Sequence, residues 1–188
     1  MADDVRERIL EATIACLGRF GIAKTTVDDA ARQAGVARAT VYRHFPDGRD
    51  QLIAESITWA VGTFFHDLFN AVADEPDLAV LLEHALIEAH RAVGEHAVLQ
   101  KVLETEPERL MPQLSQSAPV VQAVVRDFLA ERLAQERLRP GVDVAQAADW
   151  LSRIGLSFIL AEGSWDLSDP VDVRRLVRDE LLVAILAE

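Results

Sequence analysis

Residues 35 to 45, GVARATVYRHF, gather two guanidinium groups (Arg38 and Arg43), a phenol (Tyr42), an imidazole (His44) and a hydroxyl (Thr40) in a stretch without an acid. Each of these groups suits contact with duplex DNA. Arginine grips phosphate or forks onto guanine, Ala39 and Thr40 can meet a thymine methyl, and Tyr42 and His44 can reach phosphate oxygens. The chain around them is acidic, with a formal net charge of -12 over 188 residues. Residues 1–55 hold 8 Lys/Arg against 9 Asp/Glu, and residues 56–188 hold 11 against 22. An acidic body with a near-neutral, locally basic head is compatible with gripping a polyanion by one end.

Helices must position this cluster. Val5, Ile9, Ala12, Cys16 and Phe20 step by three or four, which predicts an amphipathic first helix ending at Gly21. KTTVDDAARQAG offers Thr25 or Thr26 as an N-cap, each with an aspartate three residues on; Val27, Ala30, Ala31 and Ala34 form an apolar stripe, and Gly35 closes the helix. Only Gly35, Val36 and Ala37 separate it from RATVYRHF, so two short helices must cross steeply. Val36, Val41 and Phe45 would seat the second helix, leaving Arg38, Ala39, Thr40, Tyr42, Arg43 and His44 outward. After the break at Pro46, Asp47 and Gly48, a long helix runs from about Arg49 to about Ala73. Taken alone, the residues leave two readings open: a helix-turn-helix that enters a DNA groove, or a solvated arginine-bearing helix in a protein-binding module.

RERILEATIACLGRFG followed by TTVDDAARQAGVARATVYRHFPDGRDQL resembles the DNA-binding head of the TetR family of transcription regulators. The match points include Phe20-Gly21, Thr25-Thr26-Val27, Ala34-Gly35-Val36, Thr40, Tyr42 and His44-Phe45-Pro46. The resemblance implies that Thr25 or Thr26 touches phosphate, that residues 38 to 40, Tyr42, Arg43 and His44 form the DNA face, and that Arg49 takes the place of a phosphate-binding lysine. Ala37 departs from the pattern, standing where the family often has a capping serine, and the PDGRD turn is one residue longer than the commonest form. The expected fold is all-α, about nine helices. A three-helix head (residues 5–64, with the helix-turn-helix at about 26–45) is joined by a long helix to a helical ligand-binding and dimerisation domain (65–188).

Within that second part, two stripes suit a four-helix dimer interface: Ala147, Leu151, Ile154, Gly155, Phe158 and Ala161 on one helix, and Val173, Leu176, Val177, Leu181 and Ala184 on the last. The same residues would also serve a core within one chain. Trp59, Phe65, Phe69, Leu110, Met111, Phe128, Trp150 and Phe158 are candidates to line a pocket for a small, largely apolar ligand. Pro107 and Pro112 are expected to break the chain into short helical pieces, and the final helix is expected to reach the C-terminus. Arg153 is expected to be buried and to hold either a ligand carboxylate or, by preference, an acid across the dimer. The implied partners are a pseudo-palindromic DNA operator, a second copy of the chain and an unidentified ligand, with no cofactor, no metal and no membrane.

Other chemistries have little footing. No Gly-rich phosphate loop, Ser-His-acid arrangement or H-E-x-x-H motif is present, so an enzyme is not expected. Cys16 is the sole cysteine, which excludes an internal disulfide and reads as a buried apolar residue. His84 and Glu88 share a helix face with Arg91, a poor neighbour for a cation, so ion pairing is expected there. The acidic start MADDVRERIL lacks the basic and apolar regions of a secretory signal, and a cytoplasmic location is the expectation.

Overall fold

Left-handed glycines end the first two helices. Gly21 (φ 83°) follows α1 (Ala2–Phe20). Gly35 (φ 65°) follows α2 (Val27–Ala34), and its N–H and that of Val36 return to the Ala31 carbonyl, which closes the helix in a Schellman-type turn. The computed structural model describes residues 2–160 and 163–187. After α2 come α3 (Arg38–His44), α4 (Arg49–Val72), α5 (Leu78–Glu95), α6 (Ala97–Thr105), α7 (Pro107–Leu133), α8 (Val144–Leu160) and α9 (Pro170–Arg175), which runs into a π-helical segment, Leu176–Leu181. Among the described residues the only extended pairing is a bridge between Leu138 and Leu186. Among the described residues no helix is long and apolar enough to cross a membrane.

Two elements differ from expectation. α7 is one helix of 27 residues that contains Pro112 and Pro119, and only Pro107, at its start, acts as punctuation. An interior proline costs a helix about 3 kcal/mol; here burial of Leu110, Ser117, Leu129 and Leu133 along the same helix opposes that cost. The C-terminal helix stops at Leu181, because Leu182 and Ile185 turn inward to be buried and Ala187 N–H pairs with the Arg137 carbonyl. It starts with Asp169 as N-cap and Pro170 in the first turn.

The chain packs as two bodies. The first comprises the residues up to Phe64 together with Glu95–Ala118; the second comprises Phe65–Gly94 and the residues from Pro119 onward. The expected division at residue 64 therefore needs one change, since α6 and the first turns of α7 join the head. In the first body, Ile9, Leu10, Val27, Ala30, Val41, Phe45 and Leu52 form the head core. A second cluster unites Leu17, Ile22, Ile53 and Ile57 with Val102 and Leu110. α6 clasps the end of α1: Lys101 Nζ donates to the Gly18 carbonyl (2.6 Å), and Glu106 accepts from Ala23 N–H (2.8 Å). A side chain at residue 21 would push that Glu106 carboxylate aside, and the positive φ there favours glycine.

In the second body, α5, α7, α8 and α9 enclose Leu81, Leu86, Leu133, Ala148, Leu151, Val173 and Val177. Glu83, buried, receives Arg174 and Arg178 from the last helical stretch. This core corrects the expected dimer face. Leu151, Val173, Val177 and Leu181 are fully buried within a single chain, where a partner cannot reach them, and Ala184 lies in a turn beyond the helix. Ile154, Gly155 and Phe158 remain partly exposed, and Ala161 lies outside the described residues.

Candidate nucleic-acid interface

α2 is fixed before α3 can be placed. Thr26 caps it: its hydroxyl accepts from Asp29 N–H, and the Asp29 carboxylate accepts in return from Thr26 N–H. The Thr26 hydroxyl, followed by Thr26 N–H and Arg32, holds the Asp29 carboxyl below its ordinary range. A depressed folded pKa stabilises above the unfolded value and ceases to do so as pH falls through the folded one. Thr26→Ala removes the N-cap hydroxyl and is expected to cost about 1 kcal/mol at neutral pH. The gap from wild type should narrow below the ordinary carboxylate pKa of about 3.9; urea unfolding at stepped pH checks it.

α3 is a short helix, and an α-helix with its side chains, about 10–12 Å across, fits a major groove about 12 Å wide. Val41 and Phe45 anchor it in the head core, and this orients the rest. Arg38, Ala39, Tyr42 and Arg43 are exposed, and Thr40 and His44 are half-buried. The structure thus brings these six predicted residues to one short helix. Its N-cap, Ala37, supplies no side-chain bond, as its type dictates.

The two arginines differ in status. Arg38 donates to the Tyr42 hydroxyl (3.1 Å) and to the Asp28 carboxylate on α2 (3.3 Å), and its guanidinium carbon sits 5.4 Å from the Tyr42 ring centroid. For Arg43 no hydrogen bond or ion pair occurs among the described residues, so its five donors face solvent. Lys24, exposed just ahead of α2, adds a further cation that the sequence reading overlooked; its place before a helix start was the available signal.

Two predicted phosphate contacts are corrected. Thr25 is buried and its hydroxyl donates to the Gly21 carbonyl (2.7 Å), so it braces the turn after α1 and presents nothing to solvent. Arg49 folds back onto the same turn: Nε donates to the Thr25 carbonyl (2.7 Å) and Nη2 donates to the Ile22 and Ala23 carbonyls. That turn leaves carbonyls beyond the reach of any helix, and a guanidinium fork satisfies them.

The eight pocket candidates do not converge. Trp59 packs on the head core, and Leu110 belongs to the second cluster of the first body. Met111 and Trp150 are exposed. Only Phe65, Phe69 and Phe128 form a continuous series, the last two stacked at 4.3 Å and 8°, and Phe158 packs separately against the core of the second body. A cavity of about 200 Å³ lies on the head beside α1 and α2, with Cys16, Arg19 and Arg32 among its walls. Burial raises the Cys16 thiol pKa, with Asp29 adding to the shift, which suits the expected apolar role. Arg153 is exposed and pairs with Asp149 on its own helix (2.9 Å). Glu88 pairs with Arg91 as expected, while His84 lies 3.7 Å from Glu75.

A capped helix, a three-residue turn and a second helix with exposed arginines define a helix-turn-helix protein. The family model for bacterial regulatory proteins of the tetR family matches residues 9–66. An uncharacterised helix-turn-helix-type transcriptional regulator of Mycobacterium tuberculosis is 29% identical over 130 residues, which span 69% of this chain and 65% of that relative. The nucleoid occlusion factor SlmA of Marinobacter nauticus is 30% identical over 151 residues, 78% of this chain and 77% of its own. Among solved structures, a complex of SmeT with triclosan shares the fold, with a TM-score of 0.61 at 23% identity, covering 98% of this chain and 93% of that one. The chain belongs to the TetR family of bacterial regulatory proteins.

Proposed function

We propose that this chain is a sequence-specific, duplex-DNA-binding transcriptional regulator that acts as a homodimeric repressor released by a small, largely apolar ligand. The observation that carries the DNA reading is α3. Its buried side seats it rigidly, and its open side presents Arg38, Ala39, Tyr42 and Arg43 to solvent. Among the described residues nothing inside the fold uses Arg43. A rigid basic helix of groove width is what direct base readout requires. Two copies with recognition helices about 34 Å apart would meet successive major grooves on one DNA face.

For dimerisation, the surface that remains is on α8, where exposed Trp150 accompanies the partly exposed Ile154, Gly155 and Phe158. The ligand arm rests on the Phe65, Phe69 and Phe128 series. Stacked rings can part for a flat apolar molecule, which replaces one ring contact by another. Because Phe65 and Phe69 lie on α4, the helix that begins at Arg49, such binding would bias that helix and with it the seat of the head.

The test is selection from a randomised pool of short duplexes by the purified protein, followed by titration of the winning duplex over a salt series. Enrichment of one pseudo-palindromic sequence, with affinity falling steeply as salt rises, is the expected result. Failure to enrich any sequence would refute the DNA reading. Titration of the formed complex with apolar compounds tests the ligand arm separately.

A further inference from the structure

We infer that Asp28 is a specificity-determining positioning residue: it holds Arg38 in register for base reading and penalises its capture by phosphate. The inference rests on the DNA reading and goes beyond it, because Asp28 lies on α2, outside the recognition helix.

An exposed acid so near a polyanion-binding surface needs a reason. Asp28 and Arg38 are both 60% exposed, and their contact is 3.3 Å. A pair so open to water adds little to stability, and by itself explains nothing about folding. Its effect is instead on the arginine. One Nη1 hydrogen goes to Asp28 and one Nη2 hydrogen goes to the Tyr42 hydroxyl, while the tyrosine ring lies 5.4 Å from the guanidinium carbon. The group is thereby held at two nitrogens and against one ring. The Nε–H and one hydrogen on each terminal nitrogen stay free, enough for a forked contact with guanine. Arg43 has no such restraint among the described residues: it is free to swing to whichever phosphate lies near.

The restraint separates right from wrong DNA. On the correct sequence, Arg38 reaches its base while keeping Asp28, so the acid stays neutralised. On any other sequence, Arg38 can contribute only by turning to phosphate, which strips Asp28 of its partner and leaves a carboxylate in the negative field of the duplex. Specificity is a difference of affinities, and an element that costs only in the wrong complex widens it.

The experiment uses the full-length protein and the duplex selected by wild type, beside a scrambled duplex of equal length. Asp28→Asn is compared with Asp47→Asn, which removes another exposed acid on the same body, and with Asp28→Asn in an Arg38→Ala background. Asp28→Asn is expected to tighten scrambled binding about fivefold at low salt while leaving selected binding level or weaker. The discrimination ratio then falls, the thermal midpoint stays put, and Asp28→Glu restores part of the ratio. In the Arg38→Ala background the change in ratio should vanish. Equal tightening on both duplexes, as expected of Asp47→Asn, would overturn the inference and leave Asp28 a mere charge. So would no change on either duplex, or an effect that survives loss of Arg38. If wild type selects no duplex, the DNA reading itself fails, and that outcome is distinct from a selected duplex on which Asp28→Asn leaves the ratio intact.

Discussion

Phe45→Ala is expected to destabilise the protein by about 3–5 kcal/mol, the range for truncating a fully buried phenylalanine. Phe45 has no exposed surface and shares the head core with Ile9, Val41 and Leu52. It also terminates α3, its N–H returning to the Val41 carbonyl (2.8 Å), and the Arg6 guanidinium lies 5.3 Å from its ring centroid. Truncation therefore removes core volume and loosens the seat of the recognition helix together. Urea unfolding followed by circular dichroism measures the loss, and Phe45→Leu should recover much of it. A loss under about 1 kcal/mol would mean that α3 is not anchored through this ring.

Arg49→Ala is expected to cost about 2–3 kcal/mol of stability, a charged donor's contribution to otherwise open carbonyls. Two of its nitrogens bond Ile22, Ala23 and Thr25, and a third bonds Asp50. Arg49→Lys should recover little, since an ammonium cannot fork across three carbonyls. A phosphate-binding role makes the opposite forecast: unchanged stability, weakened DNA binding and good rescue by lysine. Thermal unfolding and duplex titration of the same two variants separate these outcomes.

Both variants bear on what the sequence reveals. The periodic apolar positions and caps mark α1 to α4 to within a few residues, because each pattern is local: Thr26 with Asp29, then Gly35, enclose α2 without help from the rest of the chain. The outward face of α3 is legible for the same reason, since Val41 and Phe45 claim the inner side. Thr25 and Arg49 are not legible this way. Whether they face DNA or a carbonyl depends on how α1, its following turn and α4 meet in space, and residue type is compatible with either. α7 hides its continuity behind prolines, whose local penalty is opposed by burial elsewhere along the helix. The apolar stripes of the last two helices are equally ambiguous. Periodicity says that Val173, Val177 and Leu181 are covered, and only the packed core says by what.

The most direct measurement is titration of the selected duplex with wild type and Arg43→Ala over a series of salt concentrations. Arg43 is exposed and holds no internal partner among the described residues, so its removal leaves folding intact and isolates DNA contact. A base or phosphate contact predicts weaker binding by about 1–3 kcal/mol, and for phosphate a salt slope shallower by about one. If Arg43→Ala bound with the affinity and slope of the parent protein, the helix from Arg38 to His44 would not be the surface that meets the duplex.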